Sequence, residues 1–374
     1  MSQRFKIEYS KRIYGFDLLR ALAILFVVHG HGRGLLSGTF LEDFPWIRLP
    51  HGVDIFFVLS GFLIGYSFIS SYEKNQQNKF SNNINFWIRS AFRILPNYYL
   101  FLAINYFLVK ENILPGNTND FHYAYFITFT QNLISPFYNF FWESWSLAVQ
   151  EWFYLLFPLF LFLCSKGITI KKSVLLLSIS FILLSFSYRY FLSFNEYDSF
   201  WWDVTFRKTV ATRIDTIFYG VIAAYIRFYY SDLWKKYSMQ AFIIGLCFFL
   251  ITIYVPNPQN SLYRNVFYLG ISPFFIAFWF PFLDKLKNFK TKLGKLITFL
   301  SIISYGIYLL NLLFIQIINY KDLLSGINNN LLKYALFYIL VISGASILYF
   351  FYENPIVKIG NTLFHTRRMM SKNN

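Results

Sequence analysis

Apolar runs close to twenty residues long recur from end to end of the chain, separated by short polar segments. A helix of about 20 residues crosses the ~30 Å hydrocarbon core of a bilayer. In lipid, only helices and closed barrels satisfy their own backbone groups. The pattern predicts an all-α polytopic transmembrane helix bundle of about ten spans: 17–38, 52–70, 88–109, 143–164, 173–193, 213–230, 239–255, 264–283, 296–319 and 333–352. A shorter apolar patch at 124–138 holds Pro136 and several polar residues. It is too short to cross comfortably and is placed at the interface or as a re-entrant piece.

Composition sharpens this picture. Of 374 residues, 56% are hydrophobic and 14% charged, against about 25% charged in a soluble protein. No polar stretch is long enough for a separate soluble domain, so 1–374 is read as one integral-membrane domain. It has a basic arm at 1–16 and a tail at 353–374. The net charge of +16 is unevenly placed. With the N-terminus inside, the inner segments hold 23 lysines and arginines and the outer ones 10. That asymmetry puts both termini in the cytoplasm, and a crossing at 124–138 would spoil it. The charge therefore suits topology and anionic lipid, not nucleic acid. The first span carries no small-residue cleavage site and is expected to stay as an uncleaved anchor. Cys164 and Cys247 form no metal or disulfide pattern. Neither a zinc motif, a phosphate loop nor a GxSxG elbow occurs.

The ionisable residues inside the spans carry the chemistry. Arg20 and His31 lie eleven residues apart in FDLLRALAILFVVHGH. Eleven residues make about three helical turns, so the two share a face and stand roughly 16 Å apart along the axis, with Asp17 near the same face. Ionisable groups at such depths mark function. His29 points elsewhere and suits an ordinary hydrogen bond to a neighbouring helix. Asp54 and Glu151 fall at the depth of His31, and either suits a carboxylate that holds one imidazole nitrogen. Asp54 also suits a helix cap. Glu143 is expected at the interface and solvated. Trp142, Trp145, Trp152 and Tyr154 suit an aromatic belt or a surface for a sugar, with Trp145, Ser146 and Tyr154 as acceptor contacts. Arg213 and Asp215 suit a local rim pair. Arg89 and Arg93 lie on one helix face at the inner mouth of the third span. There they suit either phosphate or snorkelling to lipid. His51, His122 and His365 receive no role.

Together these strings resemble the membrane acyltransferase-3 family, the polytopic O-acyltransferases of bacterial glycans. The resemblance rests on FDLLRALAILFVVHGH, GVDIFFVLSGFLI, FWIRSAFRILPNYY, WSLAVQEWFYLLFP, RIDTIFYGVIAA, SYGIYLLN and YFFYENP, in that order. It implies ten core helices in a bacterial inner membrane, cytosolic acyl-CoA as donor and a glycan acceptor at the outer face. By motif, His31 is the essential histidine and Arg20 its companion. Arg89 and Arg93 are the second arginine pair. Three positions depart from the family pattern: Gln150 where glutamate is usual, Asn311 where histidine is common, and Ser90 in place of an arginine. Because the chain stops soon after its last span, it resembles the stand-alone type.

The expected reaction moves an acyl group, acetyl first, from acetyl-CoA to a sugar hydroxyl of a lipopolysaccharide, an exopolysaccharide or a lipid-linked precursor. Acetyl-CoA is a co-substrate, and no permanently bound cofactor or metal is expected. A sugar hydroxyl is a poor nucleophile and needs a positioned base, for which His31 is the choice. The catalytic set is then His31, Asp54, Glu151 and Arg20, with Arg20, Arg89 and Arg93 on acyl-CoA. Two rivals fit the same residues: a proton-coupled sugar or glycolipid carrier, and a membrane N-acyltransferase.

Overall fold

The computed structural model describes residues 12–42, 52–74, 78–116, 123–135, 140–256, 258–287 and 291–370, with side chains as far as 362. Among the described residues there are helices and turns and no strand. In chain order the helices are α1 (Tyr14–Gly32), α2 (Gly52–Lys74), α3 (Lys79–Lys110), α4 (Tyr123–Ile127), α5 (Ser144–Cys164), α6 (Ile170–Leu192), α7 (Ser199–Trp202), α8 (Val210–Tyr229), α9 (Ser231–Lys236), α10 (Ser238–Tyr254), α11 (Tyr268–Ala277), α12 (Phe280–Leu283), α13 (Lys292–Tyr320), α14 (Asn330–Leu348) and α15 (Asn354–Met370). Eight helical segments are long and apolar enough to cross a membrane, and the chain is a multi-pass membrane protein. The other two anticipated spans are also helical. Of these, α8 carries Arg213, Asp215 and Arg227, and α10 has only 17 residues.

The patch near 124–138 forms no crossing helix. Its described part is the short α4 and irregular chain up to residue 135. Irregular backbone inside a membrane must find partners in the surrounding protein, and here it does. Tyr98 donates to Phe126 O at 2.7 Å and Trp152 Nε1 to Phe129 O at 2.9 Å. The backbone amides of Val210 and Ala211 reach Asn132 O and Leu133 O. The segment is thereby wedged among α3, α5 and α8.

Two parallel helix pairs organise the bundle. On α1 and α13, Asp17 accepts from Ser301 at 2.8 Å near one end and His31 meets Asn311 near the other. On α2 and α8, glycines permit backbone contact: a Cβ on Gly61 would sit 1.9 Å from Ile217 O, and one on Gly220 1.9 Å from Val58 O. Against α5, α3 runs antiparallel, with Trp87 Nε1 donating to Tyr154 O at 2.9 Å. That carbonyl is the one Pro158 leaves free four residues later, so the tryptophan repairs the ladder that the proline breaks.

Two buried ion pairs lock α8 in place. Arg213 pairs with Asp54 of α2, and Asp215 with Arg189 of α6 at 2.7 Å. The expectation of a local Arg213–Asp215 pair is therefore corrected. Residues two apart on a helix point to different sides, and each finds its own neighbour.

Candidate active site

Where α1, α2, α3, α5 and α13 meet, they line an open-mouthed cavity of about 890 Å³, counting its mouth. Its apolar wall comes from Val53, Phe56, Leu63, Ile94 and others; its polar lining includes Arg20, Arg93, Gln150, Glu151, Tyr154 and Tyr308. Asp17 does not pair with Arg20. It belongs to Arg12, whose Nε and Nη2 lie 2.8 and 2.5 Å from its two oxygens. Among the described residues neither Arg20 nor Arg93 makes a hydrogen bond or ion pair. Two guanidiniums in no ion pair thus line one cavity, and arginine presents donors that match phosphate geometry. Of the two arginines of α3, Arg93 shares the cavity with Arg20, while Arg89, one turn earlier, lies outside its lining. A wide π-helical turn at Tyr349–Glu353 brings Glu353 to Asn97, the next turn of α3, at 3.1 Å.

Three turns along α1 from Arg20, His31 is open to solvent, and its Nδ1 meets Asn311 Oδ1 of α13. The orientation of that amide is set by its other end, since Asn311 Nδ2 donates to Ile307 O at 2.9 Å and Tyr308 O at 2.6 Å. With Oδ1 turned to the imidazole, Nδ1 must carry the proton, so Nε2 keeps its lone pair. One turn earlier on α13, Tyr308 lines the cavity and lies 2.6 Å from Ser146 Oγ. The anchor of the histidine and the cavity are thus joined through a single turn of helix.

The carboxylate expected beside His31 is absent among the described residues. Asp54 is engaged by Arg213, and Glu151 lines the cavity with one buried oxygen unpartnered. Equal depth in the membrane did not place them on the same side. His29 Nδ1 lies 2.7 Å from the Tyr334 hydroxyl of α14, an ordinary contact between helices. Of the trio Trp145, Ser146 and Tyr154, the last two line the cavity, Ser146 against Tyr308 and Tyr154 bonded to Gln150, while Trp145 is buried edge-on against Phe57 outside its lining. Glu143, expected to be solvated, precedes α5 and is buried, with neither carboxyl oxygen partnered.

By sequence Arg207 and Lys208 read only as loop charges, yet they lie over the rings of Trp145 and Trp142 beside the start of α5. They sit between α6 and α8, at and just after a second π-helical turn, Asp203–Arg207. Both bind Asp203: Arg207 through Nε, Lys208 through Nζ at 2.7 Å. Burial pushes the Asp203 carboxyl up, but Arg207 and Lys208 outweigh it and hold the group below its ordinary value. The readable signal was the acid–base spacing of four residues.

The sequence model of the acyltransferase-3 family, described as an acyltransferase domain, matches residues 13–350. The chain belongs to that family. The match takes in α1 through α14, and with them Arg20, His31, Arg93, Gln150, Glu151 and Asn311. The chain is 29% identical over 334 residues to the peptidoglycan O-acetyltransferase OatA of Listeria monocytogenes, covering 81% of this chain and 49% of that one. It is also 29% identical to the O-acetyltransferase OatA of Staphylococcus aureus, over 71% of this chain and 45% of that one. This family member thus spans about half the length of the curated relatives it matches. No solved structure matches it. The departures at Gln150 and Asn311 have structural uses: the Gln150 amide donates to the Tyr154 hydroxyl, and Asn311 holds His31.

Proposed function

We propose that this acyltransferase moves an acetyl group from acyl-CoA, bound through its phosphates at Arg20 and Arg93, to a glycan hydroxyl beside His31. One observation carries the reading. A single helix places a guanidinium that makes no ion pair in a cavity and, three turns on, a histidine whose Nε2 is left free to take a proton. In the proposed step the sugar hydroxyl oxygen forms a bond to the thioester carbonyl carbon as Nε2 accepts its proton. The C–S bond then breaks, and the departing sulfur takes the proton to give free CoA. Donor and acceptor meet from opposite sides: the arginine end is cytosolic and the His31 end faces outward from a bacterial inner membrane. The names of the relatives favour a peptidoglycan-type acceptor over a lipopolysaccharide. They also favour a hydroxyl over an amine, and family membership favours an enzyme over a carrier.

The test is CoA thiol release by purified protein in detergent, given acetyl-CoA and glycan fragments. Release that His31→Ala abolishes, while the protein elutes as the wild type does, supports the reading. Glycan-independent behaviour, with no thiol released under any condition, would sink it.

A further inference from the structure

Arg207 and Lys208 carry two positive charges against the single carboxylate of Asp203. The other acidic group near Arg207, Asp54, is already neutralised by Arg213. Among the described residues one cation is therefore in surplus. The guanidinium binds Asp203 through Nε, and its two terminal nitrogens hydrogen-bond nothing among the described residues. Each cation also lies over an indole: Arg207 is 5.8 Å from the Trp145 ring centre and Lys208 4.6 Å from that of Trp142. Asp203 and the two rings fix the cations in position while leaving the far edge of the guanidinium open. Trp145, under Arg207, precedes Ser146, which lies 2.6 Å from Tyr308, and Tyr308 stands one turn of α13 from the Asn311 that holds His31.

We infer that Arg207 and Lys208 form an anion subsite for the acceptor, so that this enzyme selects glycans bearing a carboxylate or phosphate near the hydroxyl it acetylates. The inference rests on the function proposed above and adds a substrate class to it. Surplus charge at the rim serves two ends. It draws an anionic glycan toward the site, and a planar guanidinium fixes its orientation through paired hydrogen bonds. A neutral glycan gains neither. The cations at the other end of α1 are separate: Arg20 and Arg93 line the cavity, and neither Arg207 nor Lys208 does.

Three probes test this: the disaccharide N-acetylglucosaminyl-N-acetylmuramic acid with its free lactyl carboxylate, its methyl ester, and the methyl ester carrying a phosphate at the reducing end. Binding to the full chain in detergent is read by tryptophan fluorescence, because Trp142 and Trp145 lie beneath the cations. A charge-assisted contact gives the anionic probe about tenfold tighter binding or more than the ester. Preference for the first probe identifies a carboxylate partner, and preference for the third a phosphate. The readout is a ratio within one protein, so it does not depend on folded yield. Arg207→Gln with Lys208→Gln should collapse the ratio toward one, and Arg207→Lys should keep part of it. Equal binding of all three probes by the wild type, or a ratio unchanged in the double variant, overturns the subsite. A preserved ratio with no acetyl transfer to any probe would instead count against the proposed reaction.

Discussion

Replacing Asn311 by alanine isolates the tautomer argument from everything else at the site. Asn311 is fully buried behind the imidazole and does not line the cavity, so its loss should leave both Michaelis constants near the wild-type values. The carbonyls it caps, Ile307 O and Tyr308 O, belong to the interior of α13. They keep their helical partners, and the truncation orphans no backbone group. What the histidine loses is one hydrogen bond, worth about 1 kcal/mol net or roughly fivefold, together with the restriction of the proton to Nδ1. Where a buried histidine is forced into the wrong tautomer, rates fall by about 10⁴. Here neither tautomer would be forced, so the expected fall in kcat is about tenfold to a hundredfold. Asn311→Asp retains an oxygen acceptor for Nδ1–H and should keep more activity than the alanine variant. The assay is CoA release at saturating acetyl-CoA and glycan, with melting temperature as a control for folding. Wild-type kcat in Asn311→Ala would refute the idea that this amide sets the working state of His31.

Asp54→Asn should act on stability and not on the chemical step. It leaves Arg213 buried without its partner, a loss of about 3–5 kcal/mol, so folded yield in detergent should collapse; normal yield with altered kcat would return Asp54 to the catalytic group. Arg20→Gln and Arg93→Gln should each raise KM for acetyl-CoA, with added salt reproducing part of the effect, while Arg89→Gln changes it less. Equal effects at all three positions would undo the assignment. At Asp203 the folded carboxyl is held below its unfolded value, so its contribution is present at neutral pH and fades as pH falls through that depressed value. Asp203→Asn should therefore melt earlier than the wild type at pH 7, and the gap should close in acid; a gap that widens in acid contradicts the pairing. A cysteine at residue 114 should react with an impermeant reagent from outside, and one at 287 only after permeabilisation; the reverse would invert the proposed orientation.

Periodicity and length sufficed for the helices, and for the common face of Arg20 and His31, because both are properties of a single element. Direction across the bundle was less accessible. Residue depth says how far along the membrane Asp54 or Glu151 lies, not which way it points. Asp54 turns to α8, and Glu151 to the cavity. Arg213 and Asp215 failed for a simpler reason: a two-residue spacing separates them by more than half a turn. Asn311 was visible as an unusual residue in its motif, but its role needed the parallel packing of α1 and α13, which brings positions 31 and 311 together. Arg207 and Lys208 looked like topology charges because the π-helical turn that presents them has no sequence signature of its own.

The unpaired arginines have a consequence for control. On the proposed function, Arg20 and Arg93 grip the phosphates, a part of the donor that the reaction leaves untouched. Binding energy placed there is shared equally by acetyl-CoA and spent CoA, and so does not favour one over the other. Spent carrier must then compete for the cavity almost as well as fresh donor. Turnover would follow the proportion of the cytosolic CoA pool that is acetylated, and not the amount of acetyl-CoA alone. Decoration of the cell surface would slow whenever that proportion dropped, with no dedicated regulatory site.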